Sequence, residues 1–564
     1  MIKHTLIIAI FFIHSFLFSQ KTKTNNITTT IKEKILLQTN TDFYLSGENI
    51  LYKTICFNEA NENTLVSKIV YIELINNDNV SIIKHKQIIK NGISFNDFFI
   101  PTNFETGNYK IIAYTNLTLN NNNYASKEVF ILNPYTQFPE KYKEKTTSSE
   151  AENLITTKEK HTTSSKIKLN KNEFNKREKV SVEFIENVKG NFIFNVVKID
   201  SVPILFEQKN SNIFESAKTN ILDENKNLTL FPETRGEVFF GKITPKNNED
   251  NLENKKIALS IPGKNFDFKI ASTDKDGKFN FLLDAVSENE AFFQVFEKNK
   301  EDYQIELLEN PTLRINNPEK SIKINPNYAN SFLKRSIANQ IQNAYYHTKS
   351  DTIFAHKKIK PFYDGSDKEY ILKDYNQQNT VKEIFIEIIP EVYISKEKGK
   401  QTFNVNDYEV NSSDIYLNTL VLIDGFLLQD VDEIITYDPS YFEKINFVNK
   451  GYFLNKYIFN GVVNLITKEY NYVPKIDQNY IIKKKIERPQ LQKKYYSIDY
   501  SKQNFEKIPD YRYQLCWEPN ITEISNQKPL EFYTSDIPGN YKIQIEGITK
   551  NGEPILIENY IQVK

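Results

Sequence analysis

The chain has 564 residues, 39% of them hydrophobic and 13% aromatic, which is enough for sizeable cores. At ~150 residues per domain, that length corresponds to roughly four domains. Lys plus Arg and Asp plus Glu both number 72, which excludes the basic excess of a general nucleic-acid binder and the make-up of a polyacidic tail protein. Two cysteines exclude a disulfide framework and a cysteine-based zinc module.

Residues 1–20 (MIKHTLIIAIFFIHSFLFSQ) place Lys3 and His4 before a mostly apolar run from Thr5 to Phe18. The run is too short for a comfortable membrane span, and Ser19-Gln20 supply a cleavage zone before the polar KTKTNNITTT. The segment reads as a secretory signal peptide. No cysteine ends the run, which argues against a lipoprotein anchor. No later stretch reaches the ~18 apolar residues of a transmembrane helix. The chain is therefore expected to be exported, either to the periplasm or outer membrane, or to the cell surface.

The rest is expected to be mainly β. Period-2 runs such as ILLQT, KIVYIELI, YKIIAYT, KVSVEFI, FIFNVVKI and YKIQIEGI are mostly bounded by Asn, Gly, Asp or Pro. That is the pattern of antiparallel strands in Ig-like sandwiches. Segments 137–165 and 474–508 read as linkers, the second Lys-rich, either disordered or crossing between domains. A helical connector is expected over 311–369, with a helix at 331–346. A second helix is expected at 380–389, with Thr380 as N-cap, Glu383 at the capping-box position and Pro390 as the stop.

Two internal echoes point to related sandwich units. Tyr44 and Glu48 enclose three spacers before an alternating strand, as do Phe174 and Glu178. Gly107-Asn-Tyr-Lys-Ile111 recurs as Gly539-Asn-Tyr-Lys-Ile543, each after a turn. The tyrosine ring is expected to pack at the sandwich end with its hydroxyl in water. Stretches 166–205 and 515–555 are each too short for an independent core. They are expected to pair as one sandwich (166–230 with 509–564), the intervening chain being an insertion.

Residues 33–134, within a domain placed at 21–136, resemble the second macroglobulin domain of the α2-macroglobulin family. The resemblance runs through EKILLQTNTDFYLSGENILYKTIC with its Tyr-x-x-Gly-Glu, then SKIVYIELI, NGISFNDFFIP, TGNYKIIAYTNLT and KEVFILNP. Ser46 stands where that family usually has Pro. Residues 234–284, within 231–310, resemble a carboxypeptidase-regulatory-like sandwich. Its Asp274-Lys-Asp-Gly277 reads as a hairpin turn; an EF-hand would need carboxylates where Ser272 and Leu283 stand. Residues 370–468, within 370–473, resemble the plug domain of TonB-dependent receptors, chiefly through LVLIDGFLLQDVDEIITYDPSYFEKINFVNKGYFLNKYIFNGVVNLITK. Too few residues follow Thr467 for a receptor barrel of about 22 strands at ~10 residues each. Together these resemblances imply a Bacteroidota-type envelope protein: sandwiches plus a small α+β plug-like domain, and a β-barrel supplied by a partner.

The thioester motif of protease-trapping macroglobulins, Cys-x-Glu-Gln, is matched neither by Cys56-Phe-Asn-Glu nor by Cys516-Trp-Glu-Pro, and both thiols read as core. His347 and His356 flank Asp351 at a spacing that fits no ligand motif. There is no Gly-x-Ser-x-Gly, His-Glu-x-x-His or Walker loop, and no carboxylate pair stands out as acid and base. No catalytic, metal or cofactor residue is therefore expected. Asp424 and Glu443 are the candidates for an interaction surface on the plug-like domain, against the plainer reading of a turn and a solvated side chain. The ending GNYKIQIEGITKNGEPILIENYIQVK faintly resembles a C-terminal sorting signal, yet its recurrence at 107–111 favours an ordinary strand.

The expected function is a non-enzymatic, modular envelope protein that binds or scaffolds envelope or outer-membrane proteins and no nucleic acid. The alternatives are a thioester-less macroglobulin-type protease inhibitor or host-interaction protein, and a glycan or peptide hydrolase without a recognisable site.

Overall fold

In the computed structural model the period-2 runs become strands. It describes residues 32–564 except 59–65, 121–122, 145–165, 200–229, 231, 248–250, 284–289, 309–321, 355–366, 398, 407–417 and 503–506. The signal-peptide reading, most of the 137–165 linker and His356 lie outside the described residues. The fold is mainly β.

The first sandwich contains β1 (Glu33–Thr39), β2 (Phe43–Leu45), β3 (Asn49–Asn58), β4 (Ile69–Ile75), β5 (Ser81–Ile88), β6 (Ile93–Phe99), β7 (Gly107–Tyr114), the short helix α1 (Asn116–Asn120) and β8 (Ala125–Leu132). Its sheets have orders β1-β3-β6 and β2-β8-β7-β4-β5. Ile35, Tyr52, Cys56, Ile72, Ile111 and Val129 meet between them. All pairings are antiparallel except β2 with β8.

A second sandwich opens with β9 (Ile167–Leu169), β10 (Glu173–Phe174), β11 (Lys179–Phe184) and β12 (Val188–Lys198), then is interrupted. The interruption begins with a third sandwich of β13 (Glu237–Pro245), β14 (Lys256–Ile261), β15 (Asp267–Ser272), β16 (Lys278–Leu283), β17 (Glu290–Val295) and β18 (Tyr303–Leu308). Helix α2 (Ala329–Ala344) and β19 (Thr352–Ile353) follow.

Next comes the α+β domain: β20 (Lys368–Ile371), α3 (Val381–Glu387), β21 (Val392–Glu397), β22 (Lys400–Val405), β23 (Leu420–Ile423), β24 (Phe426–Leu427), β25 (Phe442–Leu454) and β26 (Tyr457–Thr467). The Thr380 hydroxyl accepts from Glu383 N–H at α3's start, and Glu383 reaches back to Asn379 N–H. Two short strands, β27 (Ile481–Lys485) and β28 (Lys493–Lys494), precede β29 (Gln514–Ile524), β30 (Leu530–Tyr533), β31 (Gly539–Thr549) and β32 (Pro554–Val563).

Those last four strands complete the second sandwich. Its sheets run β9-β11-β30 and β10-β32-β31-β12-β29. Taken strand for strand, this is the order of the first sandwich, including a parallel pair at the same place, β10 with β32. The first sandwich joins its fourth and fifth strands by the turn at 76–80. The second carries residues 199–513 at that point.

In the Lys-rich 474–508 segment, read from sequence as a linker either disordered or crossing between domains, the described residues run across domains as a strap. β27 is the edge strand of the third sandwich, beside β17. Gln490 N–H donates to Lys86 O of the first sandwich, and β28 pairs with β19. Lys493 bridges Asp97 and Asp351. The bridge made by Lys493 could not be read from sequence because Asp97 and Asp351 lie far away in the chain.

The α+β sheet, β20-β25-β26-β23-β24, is buried on both faces. One face, with Val421, Ile423 and Val463, packs on α3 residues Ile384 and Phe385. The other, with Leu420, Leu422 and Val462, packs on Phe266, Phe268 and Ile270 of the third sandwich. Burial on both sides explains why Leu-Val-Leu-Ile is an unbroken apolar run.

Candidate functional site

The Asp424-Gly425 turn joins β23 to β24 with both residues at positive φ, 50° and 88°, the geometry of a two-residue type I′ hairpin. The Asp424 side chain folds inward. Its carboxylate accepts from Thr467 N–H at 2.8 Å and from the Thr467 hydroxyl at 2.6 Å. Tyr472 N–H also donates to it. Burial raises its pKa, and these donors oppose the rise. Asp424 is fully buried, which corrects its assignment to an interaction surface. The parallel pairing of β23 with β26 brings Thr467 alongside, so the aspartate ties two strand ends together.

The turn is also a docking point. Gly263 N–H donates to Asp424 O, and Leu427 N–H donates to the Ser260 hydroxyl at 3.0 Å. Gly425 lies under Phe266, whose side-chain atoms would stand 2.3–2.5 Å from an added Cβ.

Glu443 lies at the same end of the sheet, one residue after Phe442, which pairs with Thr467. It is exposed, whereas Asp424 faces the interior, so the structure does not bring the two into one surface.

Two concave regions escaped the sequence reading. The first is a groove of about 570 Å³ between α3 and β21, lined by Phe385, Ile386, Val392, Tyr393 and Ile394, with Lys382 and Lys396 also lining it. Ile386 is 64% exposed and Tyr393 49%. The signal was in Ile-Phe-Ile-Glu-Ile-Ile, which carries more apolar residues than one buried helix face can hold. Among the described residues, β21 pairs only with β22, leaving its other edge open.

The second is a cleft of about 230 Å³ where α2 meets the first two sandwiches. Arg335 of α2 is buried there and grips Glu48 with two hydrogen bonds of 2.7 and 2.8 Å. Glu48 also accepts from Leu45 N–H, closing the Tyr-x-x-Gly-Glu turn. Across the cleft, Arg512 forks onto Asp510 with two bonds of 2.7 Å. Burial works against the Asp510 charge, yet Arg512 and its other donors hold the carboxyl below its ordinary value. The glutamate was singled out in sequence, but its arginine was not, because the partner lies on a distant helix.

Cys56 and Cys516 are both free thiols, and burial pushes Cys56 well above the ordinary thiol pKa and Cys516 up to about 12. Among the described residues no group of three or more His, Cys, Asp or Glu is placed to hold a metal. None of their helices is long and apolar enough to cross a membrane.

No family model and no curated protein matches the sequence. Among solved structures, the chain is similar to Salmonella alpha-2-macroglobulin reacted with methylamine, at 11% identity and a TM-score of 0.23, covering 94% of this chain and 39% of that one. It is also similar to Escherichia coli alpha-2-macroglobulin activated by porcine elastase, at 9% identity and a TM-score of 0.22, covering 94% and 43%. The native conformation of the Escherichia coli protein gives 10% identity and a TM-score of 0.23, covering 95% and 40%. The chain thus spans about two fifths of the length of these structures. At such TM-scores the likeness carries no argument about activity or partners.

Proposed function

We propose that this chain is a non-enzymatic, modular protein of the cell envelope that binds or scaffolds other envelope proteins in an outer-membrane transport or assembly complex. The observation that supports it is the groove on the plug-like domain. There, exposed Ile386 and Tyr393 lie beside an open strand edge, on a domain whose opposite sheet face is already packed. Exposed apolar side chains beside an unpaired edge are what a docking partner covers. The plug resemblance names a β-barrel protein as the partner class.

The test is cross-linked recovery from solubilised outer membrane with the full chain and with the double variant Ile386→Asp, Tyr393→Asp. A barrel protein recovered with the wild type and lost with the variant supports the reading. Recovery of none, or equal recovery by both, overturns it. Cell fractionation with surface proteolysis assigns periplasm or cell surface.

A second reading, a macroglobulin-type inhibitor without a thioester, draws on the duplicated sandwich topology. It requires a cleavable bait, and 139–165 is its candidate. If cutting there leaves both the protease's activity and the protein's compactness unchanged, this reading fails.

A further inference from the structure

We propose that the cleft between α2 and the first two sandwiches is a binding site for a carboxylate, donated by a chain terminus or by an acidic side chain.

Arg335, Asn339 and Gln342 follow one another at i, i+4 and i+7 on α2, and all three line the cleft. This spacing stacks them on one helix face. Each carries a buried donor nitrogen with no hydrogen-bond partner: Arg335 Nη1, Asn339 Nδ2 and Gln342 Nε2. Arg335 is only 4% exposed, and its Nε and Nη2 are committed to Glu48, leaving Nη1 as the spare arm of its fork. Gln342 is oriented by Lys349, whose ammonium donates to Gln342 Oε1 at 3.1 Å, so Gln342 Nε2 is the donor left over. Asn339 sits over Gly47, where an added Cβ would be 3.0 Å from its Nδ2. The glycine of Tyr-x-x-Gly-Glu thus makes room for this amide.

Buried donors without acceptors cost free energy, and three along one face of one cleft define what is missing: an acceptor with more than one lone-pair site. The local field favours an anion. Lys198, next to the cleft-lining Val197, has its pKa pushed down to about 8 by burial and by the Arg335 charge. Glu48 sets the limit. Its carboxylate already neutralises part of the Arg335 charge, so a monoanionic carboxylate fits better than a doubly charged phosphate.

The test is calorimetric titration of the full chain with acetate, with inorganic phosphate, and with one short peptide in two forms. One form has a free C-terminus and no acidic side chain; the other is amidated and carries a single Glu. Saturable binding of acetate and of at least one peptide form is expected, and the form that binds identifies the source. The double variant Asn339→Leu, Gln342→Leu keeps the Arg335–Glu48 pair and should stay folded. It should bind at least ~tenfold more weakly, as expected on losing charge-assisted hydrogen bonds. No carboxylate binding by the wild type, undiminished binding by the folded variant, or tighter binding of phosphate than acetate would each overturn the proposal.

Discussion

Lys53 is fully buried between the first two sandwiches, its ammonium donating to Phe192 O at 3.0 Å. Burial pushes its pKa down to about 7, against the raising effect of Glu518 and Glu546. Below pH 7 the lysine is charged both folded and unfolded, so the whole burial penalty is felt. Between pH 7 and its unfolded value near 10.5 the folded chain binds fewer protons, so stability rises with pH. Lys53→Met should therefore stabilise the chain by a few kcal/mol at neutral pH and flatten that rise. Denaturant midpoints measured from pH 6 to pH 10 check this; an unchanged slope would discount Lys53. Gly425 makes the opposite kind of prediction. Gly425→Ala places a methyl against Phe266 at a positive φ and should cost about 1–3 kcal/mol. Adding Phe266→Gly should cost less than the two changes summed, because it removes the Cβ, Cγ and Cδ2 atoms that the methyl would meet.

At the scale of elements, the echoes were legible because their bonds are local. In the first turn Gly47 has φ 91° and Glu48 accepts from Leu45 N–H; in the second Arg177 has φ 57° and Glu178 accepts from Asn175 N–H. The repeated Gly-Asn-Tyr was legible as a repeat but not as a bond. Tyr109 donates to Glu105 O at 2.7 Å and Tyr541 to Ile537 O at 2.9 Å, so the hydroxyls expected in water are tied to the backbone four residues upstream. Each is a tyrosine corner. The inward role of Asp424 and the contacts of the strap were not legible, because what fixes them lies far off in sequence: Thr467 for the aspartate, Asp97 and Asp351 for Lys493. Lys493→Met leaves those two carboxylates partly buried and facing each other. It should lower stability by about 2–3 kcal/mol, read as an earlier urea midpoint, with strap cleavage by protease appearing before other sites open.

At the scale of the molecule, length alone raised an expectation of roughly four domains, and the shortness of 166–205 and 515–555 raised the idea that they pair. Their mutual register was not visible: β12 lies between β29 and β31, so one early strand is clasped by two late ones. If the insertion is an addition to a self-sufficient sandwich, residues 166–198 and 514–564 joined by the Asn76–Val80 turn should fold alone. Cooperative thermal unfolding with a β-type circular dichroism spectrum would show it. A molten chain would mean that contacts such as Leu51 with Ile193 and Trp517 are needed for the fold.

The way the insertion is rooted has a mechanical consequence. It leaves the second sandwich from the end of β12 and returns at the start of β29, two neighbouring antiparallel strands. A pull on the α+β domain therefore reaches the sandwich through two adjacent anchors. It loads the long β12–β31 ladder along the strand axes, so its hydrogen bonds share the force in shear and do not break singly. A partner tugging on that domain would be pulling against the body of the protein.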